Sequence, residues 1–349
     1  METRNILALG ASAGGVTALQ RLFSAMPADT PADKRATVFV VQHIAPTRNS
    51  VLPRLLGKAG WLPAFHPQDG EEVREGWIHV APPDHHLLVR DGRLLVRRGA
   101  KENRTRPAID PLFRSLAVEY GPRVIGAILS GTLDDGAAGL LAVKRCGGIA
   151  IVQDPTSAEW PDMPRNAREH VAVDHCVTLE EMAPLLTRLL GTPAPPAPAV
   201  PEDMAVEAQI PEKEFNTVPA DSDRIGTPSV FSCPDCGGNL YEVEDGSLLR
   251  YRCKVGHAYS PRALASANHD LLERALWVAL RAHEDRMILF KRMADKARKG
   301  GHELVAERWS IAAAEVQRSI TLLRDVLSSP DAVLDDAPLP PAGESLLPE

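Results

Sequence analysis

The feature that most constrains this chain is a series of continuous apolar runs, each followed by a glycine-containing or polar turn. The runs are ILAL at 6–9, TVFVVQHI at 37–44, VIGAIL at 124–129 and IAIVQD at 149–154. Segments with helical spacing of apolar residues lie between them. Buried strands that alternate with helices are typical of a parallel sheet covered on both faces. The sequence therefore predicts an α/β fold with a doubly wound, mostly parallel sheet.

The first apolar run leads into a glycine-rich turn, GASAGG, which carries one hydroxyl, that of Ser12. Gly10, Ser12 and Gly14 satisfy G-x-S-x-G, a pattern in which small residues surround a sharply turned nucleophilic serine. A turn before a helix can instead hold a phosphate, but G-x-G-x-x-G requires glycine where Ser12 stands. A plain strand-to-helix connection is the third interpretation. Only other residues of the chain that could act together with Ser12 can distinguish these three interpretations of the turn.

Two other predicted strand ends carry side chains that suit an activated serine. His43 closes the second run, and Asp134 and Asp135 lie in the turn SGTLDDG after the third. Because carboxyl ends of parallel strands meet at one edge of a sheet, Ser12, His43 and an aspartate can converge there. One aspartate is expected to cap the next helix, which leaves the other without an obvious structural task. The order Ser, His, Asp differs from that of the α/β-hydrolases.

Length and charge narrow the class of function. A chain of 349 residues is long enough for one sizeable α/β domain and smaller modules. Its net charge of -7 argues against nucleic acid as the main partner. No apolar run reaches the roughly 18 residues of a membrane-spanning helix, and no secretory leader is recognisable. We therefore expect a cytoplasmic protein without membrane insertion.

Three cysteines and a histidine near the carboxyl end have the spacing of metal ligands. Cys233 and Cys236 form a C-x2-C pair, and Cys253 and His257 form a C-x3-H pair after a predicted hairpin. Soft ligands in two such pairs suit tetrahedral zinc. Four protein ligands leave no open position, so the pattern predicts a structural zinc.

Composition divides the chain into five parts. Residues 1–190 form the predicted catalytic α/β domain, and the proline-rich residues 191–228 are expected to be an extended, disordered linker. A zinc-ribbon-like module is predicted over 229–260 and an antiparallel helical hairpin over 261–328, with a disordered tail at 329–349. The apolar stripe of this helical arm either pairs its two helices or supports oligomerisation.

Two further pairs of polar residues stand out. Arg104 and Arg106 precede a predicted helix and could bind a substrate carboxylate, although exposure to solvent is the favoured interpretation. His85 and His86 lie just before a predicted β-hairpin and are interpreted as exposed polar residues.

Six blocks of sequence carry a resemblance to a known family. They are GASAGG, VVQHIAP, GWIHVAPPDHHLLV, NRTRPAIDPLFRSLA, ILSGTLDDGAAGLLA and VQDPTSAEWPDMPRNA. In this order, across residues 7–190, they resemble the catalytic domain of CheB-type protein-glutamate methylesterases of bacterial chemotaxis. The resemblance implies a Rossmann-like, doubly wound domain that hydrolyses glutamate methyl esters on chemoreceptors or related signalling proteins and also deamidates glutamines.

Position by position, the resemblance implies that Ser12 is the nucleophile, His43 the general base and Asp135 the residue that orients the histidine. The backbone amides of Ala13 and Thr132 would form the oxyanion hole. No cofactor is implied for catalysis. The implied partner is a methylated chemoreceptor or related protein, with a methyltransferase or kinase of the same pathway as a further candidate.

This sequence departs from the family pattern in three respects. Ala13 stands where threonine is common, and Thr132 where methionine is common, which puts the tuning of rate or substrate choice in doubt. The first catalytic strand begins at residue 5, so we expect no preceding phosphorylation receiver domain and no control of the usual form.

Two other functions remain as hypotheses. The α/β domain could belong to a non-catalytic signalling adaptor whose zinc module and helical arm bind a partner. Nucleotide binding at the GASAGG turn ranks last, because it leaves His43 and Asp135 without a purpose.

Overall fold

The computed structural model describes residues 2–27, 36–46, 50–213, 226–246 and 248–328. They form two units, Met1–Leu264 and Ala265–Glu349. The strands are β1 (Ile6–Ala11), β2 (Thr37–Gln42), β3 (Ala64–Phe65), β4 (Ile78–Val80), β5 (His86–Arg90), β6 (Arg93–Arg97), β7 (Val124–Ile128), β8 (Ile149–Gln153), β9 (His175–Val177), β10 (Thr227–Ser232), β11 (Asn239–Asp245), β12 (Leu248–Cys253) and β13 (Ala258–Tyr259). The helices are α1 (Gly15–Ala25), α2 (Leu52–Lys58), α3 (Ile109–Tyr120), α4 (Ala137–Arg145), α5 (Asp162–His170), α6 (Leu179–Leu189), α7 (Glu202–Gln209), α8 (Pro261–Lys299) and α9 (Glu303–Ser328).

Seven strands form one parallel sheet in the order β3-β4-β2-β1-β7-β8-β9. The chain moves outward from β1 through β2 and β4, and then returns to place β7 on the other side of β1. The direction of winding therefore reverses at β1. In open α/β sheets, ligands bind outside the carboxyl ends of the strands at such a switch point. The predicted doubly wound α/β fold is confirmed.

Two apolar layers cover the faces of this sheet. In β1, Ile6 and Ala8 face the layer that contains α3, α4 and α5, whereas Leu7 and Leu9 face the layer that contains α1, α2 and α6. Successive side chains of a strand point to opposite faces, so a strand buried on both faces needs an unbroken apolar run. Each fully buried leucine contributes about 1.5–3 kcal/mol.

A β-hairpin lies outside the main sheet, as the sequence predicted. Strands β5 and β6 pair antiparallel around the turn Asp91-Gly92, whose φ angles of 52° and 69° are those of a tight hairpin turn. The interpretation of His86 as an exposed residue is wrong, because its side chain is fully buried and its Nε2 bonds the carbonyl of Ala100.

A helix occurs in the stretch that was expected to be a disordered linker. Helix α7 buries Met204 and Ala208, which are four residues apart, and Met204 joins the core of the α/β domain. The expectation of an extended segment over 191–228 is therefore wrong for residues 202–209. Burial of Met204 and Ala208, which are spaced by one helical turn, stabilises a helix here although prolines surround it. Strand β10 also begins within the predicted linker, and residues 214–225 lie outside the described residues.

The cysteine-containing module is a four-stranded antiparallel sheet in the order β10-β11-β12-β13. It belongs to the same compact unit as the α/β domain. Arg145 at the end of α4 pairs with Asp245 of this sheet, with 2.9 Å between nitrogen and oxygen. A parallel bridge joins Glu102 to Ala258.

The second unit consists mainly of two helices. Gly300 and Gly301 separate α8 from α9, and Gly301 adopts a φ of 77°. Leu280, Val316 and Ile320 form the buried contact between the helices. The predicted tail at 329–349 lies outside the described residues. None of the described helices carries an apolar stretch sufficient to cross a lipid bilayer.

Candidate active site

Ser12 lies directly after β1, in the turn that leads into α1. Its backbone amide donates to the carbonyl of Ser130 at 2.9 Å, and its carbonyl accepts from Gln42 Nε2 at 2.7 Å. Gly14, the cap of α1, has a φ of 72°, in the left-handed region that favours glycine. The turn therefore fixes the serine between β1, β2 and the loop after β7.

Three predicted side chains meet at this edge of the sheet. Ser12 Oγ lies 3.0 Å from His43 Nδ1, and His43 Nε2 lies 2.7 Å from Asp135 Oδ2. The His43 side chain is 13% exposed and that of Asp135 is 2% exposed. A histidine between a buried carboxylate and a hydroxyl carries its proton on the nitrogen that faces the carboxylate. Nδ1 is then free to accept the hydroxyl proton.

The buried carboxylate of Asp135 contacts four hydrogen-bonding groups, of which His43 is one. The backbone amide of Ile109 donates to its Oδ2 at 2.7 Å, and Asn103 Nδ2 and the Asp110 amide donate to its Oδ1 at 3.0 and 3.3 Å. Burial alone would raise the pKa of Asp135, but the hydrogen bond and charge of His43 and these donors lower it. The carboxylate is therefore ionised and available to orient the imidazole.

The amides assigned to an oxyanion hole belong to the turns on either side of Ser12. Among the described residues, neither the Ala13 nor the Thr132 amide donates a hydrogen bond to the protein. The hydroxyl of Ser130 ties the two turns together, since it donates to the Ala13 carbonyl at 2.8 Å and accepts from the Trp160 amide at 3.0 Å. Two backbone donors thus remain available beside the serine.

The second aspartate of the turn has a different environment. Burial and the charge of Asp135 raise the pKa of Asp134 to about 6, against the hydroxyl of Ser260 and the charge of Arg262. Its Oδ1 has no hydrogen-bond partner within the described residues. The expectation that one aspartate caps α4 is also wrong, because Gly136 is the cap and Asp110 Oδ1 accepts from the amides of Gly136 and Gly139.

Comparison with known proteins decides the family. The profile of the family described as CheB methylesterase matches residues 7–186, a little over half of the chain. The chain belongs to the CheB methylesterase family. The crystal structure of the Thermotoga maritima CheB methylesterase catalytic domain matches with a TM-score of 0.50 at 28% identity, over 54% of this chain and 100% of that one.

Curated relatives of this family agree over the same region. A protein of Leptospira interrogans, provisionally named protein-glutamate methylesterase/protein-glutamine glutaminase, is 36% identical over 52% of this chain and 93% of its own. Proteins named protein-glutamate methylesterase/protein-glutamine glutaminase from Xanthomonas campestris and Methanosarcina mazei are 37% and 35% identical, each over 54% of this chain. The match spans about half of the length of these two relatives, 52% and 53%.

The structure also shows site residues that sequence reasoning did not single out. Asn103 Nδ2 bridges Asp135 and Asp110, with 3.0 and 2.9 Å to the two carboxylates. Thr105 Oγ1 lies 3.3 Å from His43 Nε2, and Gln42 holds the carbonyls on both sides of the site. Gln42 is the last residue of β2 and directly precedes His43, so its position in the sequence could have indicated that it lies at the site. Asn103 gives no such indication, because two of its partners, Asp135 and Ser260, lie 32 and 157 residues away in the chain.

The four predicted metal ligands come together in the carboxyl-terminal module. The ligand atoms of Cys233, Cys236, Cys253 and His257 all lie within 4.8 Å of one another. Cys236 Sγ is 3.7 Å from Cys253 Sγ, which is 3.5 Å from His257 Nδ1. This cluster can hold a metal ion.

Arg106, the second arginine before α3, does not face water as expected. Arg106 is only 14% exposed, and it pairs with Asp84 at 2.6 Å and donates to the Gly99 carbonyl. Arg104 adopts a φ of 68° and Asn103 a φ of 48°, both in the left-handed region. These interactions hold the loop before α3 in one conformation.

Proposed function

We propose that this protein hydrolyses methyl esters of glutamate side chains through a triad of Ser12, His43 and Asp135. The observation that carries the proposal is the continuous chain of contacts from Ser12 Oγ to His43 Nδ1 and from His43 Nε2 to Asp135, at 3.0 and 2.7 Å. It lies at the switch point of a CheB-family sheet. A histidine within hydrogen-bond reach of both a hydroxyl and a carboxylate is the arrangement that activates a serine.

The chemistry follows from this geometry. His43 Nδ1 takes the proton of Ser12 as Oγ attacks the ester carbonyl, and the charge of the imidazolium is balanced by Asp135. The tetrahedral intermediate places its oxyanion at the amides of Ala13 and Thr132. His43 then gives the proton to the departing methoxide, so methanol leaves and an acyl-enzyme remains. Water activated by His43 releases glutamate and restores Ser12.

The same steps convert glutamine to glutamate, with ammonia as the leaving group. This second activity follows the naming of the relatives, which are described as protein-glutamate methylesterase/protein-glutamine glutaminase. Asp135 and His43 keep their roles, because protonation of the leaving nitrogen is again the task of the imidazolium. The triad itself needs no cofactor.

The proposed protein substrate is a methylated chemoreceptor or a related signalling protein. The family membership and the names of the relatives support this choice. A methyltransferase is the partner that such a reaction implies, since the ester has to be made before it is hydrolysed, and a kinase of the same pathway is a further candidate. Cys233, Cys236 and Cys253 are clustered as metal ligands rather than spread as disulfide partners, which supports the cytoplasm as the proposed compartment.

We also propose that Cys233, Cys236, Cys253 and His257 bind one structural zinc ion. Two sulfurs of a tetrahedral zinc site with bonds of about 2.3 Å lie about 3.8 Å apart, and Cys236 and Cys253 are separated by 3.7 Å. Gly237 and Gly256, with φ of 72° and 109°, donate back to the carbonyls of Cys233 and Cys253 and form the two knuckles. Four protein ligands restrict the ion to a structural role.

The helical arm supports the second candidate function, a surface for oligomerisation or for a partner. Several large apolar side chains on α8 and α9 are exposed, among them Val278 at 71% and Leu304 at 79%. If the α/β domain acts only as an adaptor, loss of the arm abolishes the cellular response whereas Ser12→Ala preserves it. The opposite pattern supports the esterase.

A fluorophosphonate probe tests the triad independently of the natural substrate, because it reacts with activated serines. We expect the label on Ser12, located by mass spectrometry of the digested protein, and strong loss of labelling in His43→Gln. Ser157, an exposed serine outside the site, serves as the internal control. Equal labelling of Ser12 and Ser157 would contradict an activated Ser12.

A further inference from the structure

The cysteine-containing module contacts the segment Lys101–Thr105, which we call the bridging segment. The amide of Ala258 donates to the Lys101 carbonyl at 3.2 Å, and the amide of Asn103 donates to the Ala258 carbonyl at 2.8 Å. The amide of Ser260 donates to Asn103 Oδ1 at 3.0 Å. The bridging segment is therefore joined to the edge of the module by an isolated parallel bridge between Glu102 and Ala258.

The opposite side of the bridging segment contacts the triad. Asn103 Nδ2 donates to Asp135 Oδ1 at 3.0 Å, and Thr105 Oγ1 lies 3.3 Å from His43 Nε2. The two ends of one amide group thus have different partners: its oxygen binds the module and its nitrogen binds the catalytic carboxylate. Asn103 is 5% exposed, so water does not compensate for the loss of either contact.

A buried ion cluster joins the same segment to the module. Arg252 of β12 reaches Glu102 through both terminal nitrogens, at 3.1 and 3.0 Å, and both side chains are nearly inaccessible. Arg114 of α3 also pairs with Glu102, at 3.2 Å, and Glu207 of α7 pairs with Arg252 at 2.8 Å. Burial would raise the pKa of Glu102, but Arg252 and Arg114 lower it, so the carboxylate is ionised.

The bridging segment holds a backbone conformation that needs support from its surroundings. Asn103 and Arg104 are consecutive residues with positive φ, 48° and 68°. Residues other than glycine occupy this region at a cost of about 1–3 kcal/mol each and persist in it when their neighbours fix them. The module supplies that fixation through Ala258, Ser260 and Arg252.

The contacting residues lie beside the metal ligands. Arg252 precedes Cys253, and Ala258 follows His257, so the C-x3-H pair sets the position of both contacts. A metal ion held by this pair would tie the turn between β12 and β13 at the point where both contacts are made. Its removal would then loosen Arg252 and Ala258, the two residues that hold the bridging segment.

We infer that the cysteine-containing module positions the triad. It fixes the bridging segment through Arg252, Ala258 and Ser260. Asn103 of that segment in turn orients Asp135. Asn103 is a positioning residue, because it acts on the reacting atoms through Asp135 and His43. The esterase thereby depends on an ion that never touches the substrate. Only the expected effect on the reaction rate rests on the proposed function; the positioning of Asp135 does not.

Three variants of the 349-residue chain separate this effect from general loosening of the module. Arg252→Met removes the pairs with Glu102 and Glu207 and the hydrogen bond to the Gly256 carbonyl, and leaves all metal ligands in place. Arg145→Gln removes a different ion pair to the module, that with Asp245, together with the pair between Arg145 and Asp203 of α7; both lie at the end of α4 remote from Asp135. Arg252→Lys restores the charge but not the two-nitrogen contact. Zinc content and circular dichroism show whether each variant is folded and loaded.

The primary measurement is kinetic, with a methyl-esterified receptor peptide as substrate. We expect Arg252→Met, and wild type treated with a chelator, to lose at least about tenfold in kcat with little change in KM, because orientation of His43 is lost rather than substrate contact. Zinc alone should restore the chelated protein. Arg252→Lys should recover part of the rate, and Arg145→Gln should match wild type.

The second measurement is independent of turnover. The Nε2 proton of His43, hydrogen-bonded to Asp135, gives a low-field proton resonance that is assigned by its loss in His43→Gln. We expect it to disappear or move upfield in Arg252→Met and in the chelated protein, and to persist in Arg145→Gln. If kcat and this resonance are both unchanged in folded Arg252→Met and after chelation, the inference is overturned. If the resonance responds but wild type shows no Ser12-dependent turnover, the proposed function fails and the positioning role stands.

Discussion

His43 Nε2 lies 2.7 Å from Asp135 Oδ2, and the Asp135 side chain is 2% exposed. The two residues reach each other from opposite sides of β1, His43 after β2 and Asp135 in the loop after β7. A buried carboxylate at this distance fixes the imidazole tautomer and stabilises its charged form. The pair thereby prepares the ring nitrogen that faces Ser12.

Asp135→Asn should lower kcat for methyl ester hydrolysis by about 10³- to 10⁴-fold, because an amide does not stabilise the imidazolium and favours the wrong tautomer. Asp134→Asn is the matched control, one residue away in the same turn, and should keep most of the activity. Steady-state methanol release measures both. If kcat fell by a similar factor in both variants, Asp135 would have no role that distinguishes it from Asp134.

Asn103→Ala should lower kcat between about 5- and 150-fold, since it leaves two buried carboxylates short of a donor at a cost of about 1–3 kcal/mol. Those carboxylates are Asp135 and Asp110. KM for the methylated peptide should change little. A rise in KM with unchanged kcat would instead indicate that Asn103 binds substrate.

Gly14→Ala should destabilise the turn that presents Ser12. The left-handed backbone costs about 1–2 kcal/mol with a side chain, and the added carbon would lie 2.8 Å from Ser130 Oγ. Gly60→Ala also introduces a side chain at positive φ, but nothing lies within 4 Å of it. Chemical denaturation should show the larger loss of unfolding free energy for Gly14→Ala, accompanied by loss of activity that Gly60→Ala does not share.

Asp134 makes the unfolding free energy depend on pH. Its pKa is about 6 in the folded protein and about 3.9 in an unfolded chain. Its favourable contribution is therefore fully present below about pH 4 and is lost as pH rises through about 6. Denaturation curves of wild type and Asp134→Asn should diverge over this range, with the variant gaining relative stability as pH rises. Parallel curves would contradict the raised pKa.

The sheet and the meeting of Ser12, His43 and an aspartate could be predicted from local patterns, whereas the choice of Asp135 over Asp134 came from the family resemblance. Unbroken apolar runs specify buried parallel strands, and the carboxyl ends of such strands converge. The role of Asn103 could not be predicted, since one of its partners, Ser260, is 157 residues away. Helix α7 was missed for a related reason: its burial depends on tertiary contacts of Met204 and Glu207, which composition does not reveal.

The central claim is that Ser12 is the nucleophile of a methylesterase, and methanol release from a methylated receptor tests it most directly. Wild type and Ser12→Ala are compared at equal concentration, with Ser157→Ala as a control for loss of an unrelated hydroxyl. The account predicts release by wild type and Ser157→Ala, and at least about a 10³-fold lower rate in folded Ser12→Ala. Equal rates of release by wild type and Ser12→Ala would contradict it.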